Sequence, residues 1–326
     1  FWVTGLDPKL AFSSDRFLLP SILGSSLLLA GAIDFLFKQA PIKVIFLSLI
    51  IGLSAGSHNQ NAITYRRDWA YTISFFQQLT ARAPHLPPNT SILSNELPSR
   101  STDNSLTAPL NWIYSPDFTE GNLPLQLLYV DLRFGHQNTI LEDDKFNLAK
   151  YIYYPFQGSL EQVLMVYHSP PACLQVVDSN NHQQLPSFME DFLSYSKPNL
   201  ILAESDLVAS LPAVLSHNQQ PHNWCYYFEK ADLARQHQNW EQIAQLGDIA
   251  FTLSDSPKQI SERVPFIEGY AHVGQWERAE EITLEAFKIS PVLCQVWERI
   301  EADTLPSTER KVTLDRIRHQ LDCDFH

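Results

Sequence analysis

Apolar and polar positions divide the chain into stretches of different character. Phe17–Phe37, FLLPSILGSSLLLAGAIDFLF, and roughly Pro41–Ser57, PIKVIFLSLIIGLSAGS, are almost unbroken apolar runs. At about 1.5 Å per helical residue the first reaches roughly 30 Å, the thickness of a bilayer core, and the second roughly 25 Å. Lys38, Gln39, Ala40 and Pro41 form a turn between them. The only charges inside the runs, Asp34 and Lys43, lie beside that turn, where their ends can reach headgroups. The pattern predicts a membrane α-helical hairpin over residues 17–57, preceded by an extramembrane loop over 1–16. A hairpin buried in a large soluble core is the competing reading.

Residues 58–87 read as an amphipathic helix and a linker. Over 62–83, Trp69, Ile73, Phe76 and Leu79 fall on one stripe at helical spacing, with Arg67, Gln77 and Gln78 off it. Pro84 ends the helix. The stripe is either a packing face or the face of a helix lying on a membrane.

Residues 88–221 change period. Short apolar runs alternate with Pro, Asn, Ser and Asp clusters, which predicts a small α+β soluble domain. Candidate strands are Ser91–Leu93, Leu125–Val130, Tyr151–Tyr154, Gln162–His168, Cys173–Val177 and Asn199–Ala203, with a hairpin through Ser169–Ala172 and a helical pattern at Phe188–Tyr195. One polar run, SNELPSRSTDNSLTAPLNWIY at 94–114, is expected to have little regular structure. It gathers Glu96, Arg100, Asp103, Asn104 and Asn111. Acids and an Arg at that density suit a polar head group or a sugar, so Glu96, Arg100, Asp103 and Asn104 are candidate ligand-binding residues. A solvated loop with Asx turns and local ion pairs accounts for the same residues.

Residues 222–326 turn helical and contain an internal repeat. Trp240-Glu241-Gln242-Ile243 aligns with Trp276-Glu277-Arg278-Ala279, 36 positions on. In the second copy Tyr270, Gly274, Trp276, Ala279, Ala286 and Pro291 resemble a tetratricopeptide repeat, with small residues where two helices must touch. The first copy departs from it: Gln238 stands where the turn Gly belongs, and Ile243 where a small Ala belongs. A third half-repeat is expected from Pro291, with Leu314–Leu321 as a capping helix. The resemblance implies an all-α tetratricopeptide-like module that binds a protein partner on a concave face. A purely structural helical cap is the alternative.

Charge and cysteines narrow the functions. The formal net charge of -13 excludes nucleic acid as the expected partner, because a phosphate backbone needs a basic face. The four cysteines, Cys173, Cys225, Cys294 and Cys323, form no CxxC pair, so no metal or redox motif is indicated, and the first three read as core thiols. No nucleotide-binding glycine loop, HExxH or GxSxG occurs, and no cofactor and no catalytic residue is expected from these residues. The chain begins with Phe1 and its first methionine is Met165, so the expectation is the C-terminal part of a longer membrane protein.

The segment SSDRFLLPSILGSSLLL, taken with the repeats, resembles the late helices of bacterial polytopic membrane proteins of the glycosyltransferase-C type. That resemblance implies transfer of a sugar from a lipid-phosphate carrier, with a catalytic acid upstream of Phe1. It places the chain in the bacterial cytoplasmic (inner) membrane, with an extracytoplasmic C-terminal part and membrane lipid or a lipid-linked sugar as partner. Asp15 and Arg16 would then meet the carrier phosphate at the membrane edge, since the Arg fork binds phosphate oxygens in pairs. The same residues serve equally as interfacial anchors. The rival function is a non-enzymatic membrane-anchored scaffold that holds a protein partner on its helical repeats.

Overall fold

The computed structural model describes residues 19–98, 101–134, 154–177, 179, 185–202, 209–216, 222–285 and 291–323. The fold is mostly helical with one small mixed sheet. It divides into two compact units, the first ending at Trp69 and the second beginning at Ala70.

In the first unit α1 covers Leu19–Leu36, and α2 starts at Ala40 and ends at Arg82 in the second unit. The expected break after Ser57 does not occur. HNQNAITYRRDW has neither Pro nor Gly to stop a helix, so the apolar run and the amphipathic stripe form one element. Among the described residues α2 is the one helix long and apolar enough to cross a membrane; the apolar stretch counted in α1, Ser21–Leu36, is shorter. Nearly every side chain described in this unit is exposed: Leu27 is 66% exposed, Leu28 76%, Ile45 70% and Leu53 68%. Lys43 and Asp34 pair at the turn.

The second unit is built on a four-stranded sheet in the order β2-β1-β3-β4. Its strands are β1 Thr90–Ser94, β2 Leu125–Tyr129, β3 Val163–Tyr167 and β4 Gln175–Val176. β1 pairs in parallel with β2 and β3, and β3 pairs antiparallel with β4. Parallel pairing requires crossovers, and α3, Asp103–Tyr114, supplies the first. The sheet is buried on both faces, which is why its strands read as apolar runs rather than alternations. Ile92, Leu127, Leu164 and Val166 pack with Phe76 and Leu79 of α2 and Leu110 of α3. Leu93, Leu128 and Met165 face the other way, towards Phe134 of α4, Val130–Phe134, and Met189 of α5, Ser187–Glu190. The expected strand at Asn199–Ala203 is replaced by a 3-10 turn, Pro198–Leu200, because Pro198 fixes a turn at its start. Most of the Tyr151–Tyr154 segment lies outside the described residues. A short helix, α6, covers Ala213–Ser216.

Six further helices follow among the described residues: α7 Trp224–Gln236, α8 Trp240–Ala250, α9 Val264–His272, α10 Trp276–Leu284, α11 Pro291–Asp303 and α12 Thr308–Leu321. Trp224, Ile243, Phe266, Tyr270, Trp276, Trp297 and Ile317 share their core. Gln238, between α7 and α8, has a φ of 55°, and Gly274, between α9 and α10, has a φ of 80°. The two turns need the same left-handed backbone, and only one has the residue that adopts it without cost. Ile243 packs against Gly269, where an added Cβ would lie 2.3 Å from the Ile243 Cγ2. The large residue on α8 is therefore matched by a missing side chain on α9.

All four cysteines are paired, Cys173 with Cys225 and Cys294 with Cys323, so the core-thiol expectation is corrected. The separations of 52 and 29 residues hid the pairing in the sequence. The first bridge ties the chain before β4 to α7, and the second ties α11 to the chain after α12.

Candidate functional site

The carboxyl ends of β1 and β3 are where an open parallel sheet of this strand order would take a ligand. The chain leaves β1 towards β2 on one side and returns to β3 on the other, which opens a crevice between β1 and β3. Here the crevice is filled from within. Asn95, just past β1, accepts from the His168 N–H at 2.9 Å and donates to the His168 carbonyl at 2.9 Å. His168 is 1% exposed, and burial lowers its pKa to about 4. Leu174 N–H donates to Gln78 Oε1 at 2.7 Å, which orients the amide so that Gln78 Nε2 faces His168 Nε2 at 3.4 Å. The histidine is thus held neutral, as an acceptor, with no opening to solvent.

The polar run 94–114 is largely structural, which corrects the expectation that it lacks regular structure. Thr102 caps α3 by accepting from Ser105 N–H at 3.2 Å. Asp103, Thr107 and Asn111 then recur every fourth residue along one face of α3. Asp103 Oδ2 accepts from Tyr129 N–H at 3.3 Å, Thr107 Oγ1 from Leu127 N–H at 3.2 Å, and Asn111 Oδ1 from Leu125 N–H at 3.0 Å. These are the outward N–H groups of β2, the edge strand, and the three side chains cover that edge. Asp103 is 0% exposed and also receives Arg133 Nε at 2.5 Å and Nη2 at 2.8 Å. The carboxylate holds the Arg133 guanidinium above its usual pKa.

Of the four candidates in this run, Asp103 is therefore committed to α3, β2 and Arg133. Glu96 is exposed, and Asn104 is half-buried with its Oδ1 unpartnered among the described residues. Arg100 lies outside the described residues, as do Asp15 and Arg16. Burial raises the Tyr129 pKa, and Glu96 and Asp103 both lie close enough to Tyr129 for their charges to raise it further.

A more open site lies between α2 and α7, in a cavity of about 660 Å3. Ser74, Gln77 and Gln78 line it from α2, Tyr226 and Lys230 from α7, and Ser210 from the segment before α6. The lining residues recur at three- and four-residue steps, which puts one face of each helix on the cavity. Lys230 is half-buried and forms no ion pair among the described residues, and burial alone lowers its pKa. No carboxylate lines the cavity among the described residues. None of these residues stood out in the sequence. The spacing Asn223, Tyr226, Lys230 along a helix was the available signal.

Two other polar clusters tie the unit together. Arg82, the last residue of α2, donates to Asp232 of α7 at 2.6 Å. Arg235 bridges Asp232 at 2.7 Å and Glu268 at 3.5 Å, and Arg299 of α11 reaches Glu268 at 2.7 Å. Burial pushes the Asp232 pKa up, but Arg235 and Arg82 outweigh it and leave the carboxylate below its ordinary value. Glu229, one turn from Asp232, is 0% exposed with neither carboxyl oxygen partnered among the described residues. Burial, reinforced by Asp232, raises its pKa well above the usual carboxyl value. Glu262 accepts from Cys173 N–H at 3.0 Å beside the first disulfide. Among the described residues no group of His, Cys, Asp and Glu is arranged to hold a metal ion.

No protein-family model matches this chain, and neither a curated protein nor a solved structure does.

Proposed function

We propose that the chain belongs to an integral membrane protein of the bacterial cell envelope and serves a lipid-carrier-dependent glycosyltransferase as its C-terminal portion. The observation that carries this reading is the first unit's exposed apolar surface. Fully burying one Leu or Ile is worth about 1.5–3 kcal/mol, and here more than a dozen large apolar side chains on two neighbouring helices are left exposed by the described residues. Hydrocarbon is the solvent in which such helices are stable. The two disulfides support an extracytoplasmic setting for the second unit, since such bonds persist in oxidising compartments and are rare in the reducing cytosol. The resemblance of SSDRFLLPSILGSSLLL to glycosyltransferase-C spans suggests the reaction class, and the resemblance around Tyr270 to Pro291 supports reading α7 to α12 as a tetratricopeptide-like module.

In this reading Arg16, with Asp15 beside it, binds the carrier phosphate at the membrane edge. The test is binding of a polyprenyl-phosphate sugar by the full-length protein in nanodiscs. Arg16→Ala should weaken binding about tenfold, the effect of about 1.4 kcal/mol. Unchanged binding would remove the carrier-site assignment.

A second reading, a membrane-anchored scaffold, is favoured by the groove between α10 and α12. It measures about 920 Å3 and includes Trp276, Arg278, Thr308, Val312 and Arg316. Sugar transfer in membranes carrying the full-length protein separates the two readings, because the scaffold supports none.

A further inference from the structure

We propose that the cavity between α2 and α7 is a binding site for a phosphorylated sugar, with Lys230 as the anchor of the phosphoryl group. This site is separate from the proposed carrier contact at Arg16.

Charge comes first. The chain carries 36 acidic and 23 basic side chains, and most described arginines in the second unit are paired with carboxylates. Lys230 is a half-buried cation on the cavity wall with no counter-ion among the described residues. A half-buried ammonium without a partner is unfavourable unless an anion completes it. The cavity offers it no carboxylate among the described lining residues. The α7 N-terminus adds to the preference, because Asn223 caps it at the cavity wall and its first turn carries partial positive charge.

Hydrogen-bonding capacity comes second. Ser74 Oγ accepts from Gln78 at 2.9 Å and keeps its hydrogen. Asn223 uses its Oδ1 to cap Tyr226 N–H at 3.1 Å, and its amide hydrogens are unused among the described residues. The hydroxyls of Ser210 and Tyr226 make no hydrogen bond among the described residues, whereas Gln78 is fully committed. The unused groups are therefore mainly donors, and they outnumber the two oxygens of a carboxylate. A phosphoryl group with three oxygens, on a hydroxyl-rich ring, uses them. The stacked rings of His222 and Tyr226, 3.8 Å apart, provide a flat wall for a sugar face. A cavity of about 660 Å3 has room for such a ligand.

The test uses the full chain in detergent or nanodiscs and isothermal titration with glucose 1-phosphate, glucose and inorganic phosphate. Glucose 1-phosphate should bind more tightly than either part alone. Lys230→Gln should weaken it about tenfold or more, and Lys230→Arg should retain most of it. Lys230 has no ion pair to lose, so Lys230→Gln should melt no lower than the unsubstituted chain. Ser210→Glu, at the exposed mouth, should abolish binding by placing a carboxylate there. Nanodiscs of phosphatidylcholine with a polyprenyl-phosphate glucose distinguish the source. Tighter binding to them than to free glucose 1-phosphate, lost in Lys230→Gln, assigns the site to a lipid head group; equal or weaker binding assigns it to a soluble sugar phosphate. Glucose binding as tightly as its phosphate, no binding of any anionic probe, or no effect of Lys230→Gln would overturn the proposal.

Discussion

Gln238 pays for its left-handed backbone with a Cβ that crowds the chain, while Gly274 holds the equivalent turn at no such cost. Gln238→Gly should raise stability by about 0.5–1 kcal/mol, read as a higher midpoint in urea with an unchanged slope. Two buried titratable groups set opposing pH dependences. His168 has a folded pKa of about 4, below its unfolded value of about 6.5, so the unfolded chain binds the extra proton between them. Its contribution is complete above about pH 6.5 and is lost as pH falls towards 4; it amounts to about 3 kcal/mol. Glu229 has a raised pKa, so its contribution is complete below the unfolded value of about 4.5 and is lost as pH rises through the folded value. Glu229→Gln should therefore stabilise the protein at pH 8 more than at pH 5, in melts of the full chain. Equal gains at both pH values would mean that Glu229 is charged in the folded protein. Neither group was legible in the sequence, because burial of one His among eleven, or one acid among many, is a property of packing rather than of neighbours along the chain.

Helix α3 shows how an element can be visible in part. Its cap at Thr102 and its apolar face of Leu106, Leu110 and Ile113 are ordinary helix signals, yet the density of polar residues drew the reading towards a ligand loop. What decides the matter is β2, whose edge N–H groups need partners that only a packed neighbour can give. Asn111→Ala should cost about 1–3 kcal/mol, because Leu125 N–H and C=O would both lose a buried partner. Asn111→Asp should not recover that loss in the same denaturation experiment, because a buried carboxylate oxygen would then face the Leu125 and Thr107 carbonyls where the amide donated. The apolar runs of α1 and α2 were plain in the sequence, whereas the continuation of α2 to Arg82 was not, because the change from apolar to amphipathic pattern looked like a boundary. No helix breaker marks one. Trp240 and Trp276, 36 positions apart, each open a helix, α8 and α10, but the compensation of Ile243 by Gly269 joins residues on two helices and is not visible along either stretch alone.

Across the molecule, an exposed apolar unit and a disulfide-stapled unit belong to one chain, and that combination supports the proposal that the second unit lies outside the cytoplasm. The cysteine pairings were the largest omission from the sequence reading, since spacing along the chain says nothing of which thiols the fold brings together. The most direct test is sidedness in cells. A single reporter cysteine at the exposed position Ser254, in the turn after α8, is added to the full-length protein with its disulfides intact. Intact cells with a permeabilised outer envelope are then treated with a membrane-impermeant maleimide, before and after lysis. Labelling of Ser254→Cys is expected before lysis, with Cys173, Cys225, Cys294 and Cys323 unreactive until a reductant is added. Labelling of the reporter only after lysis, with the four native cysteines reactive without reductant, would contradict it and leave a cytoplasmic scaffold as the better description.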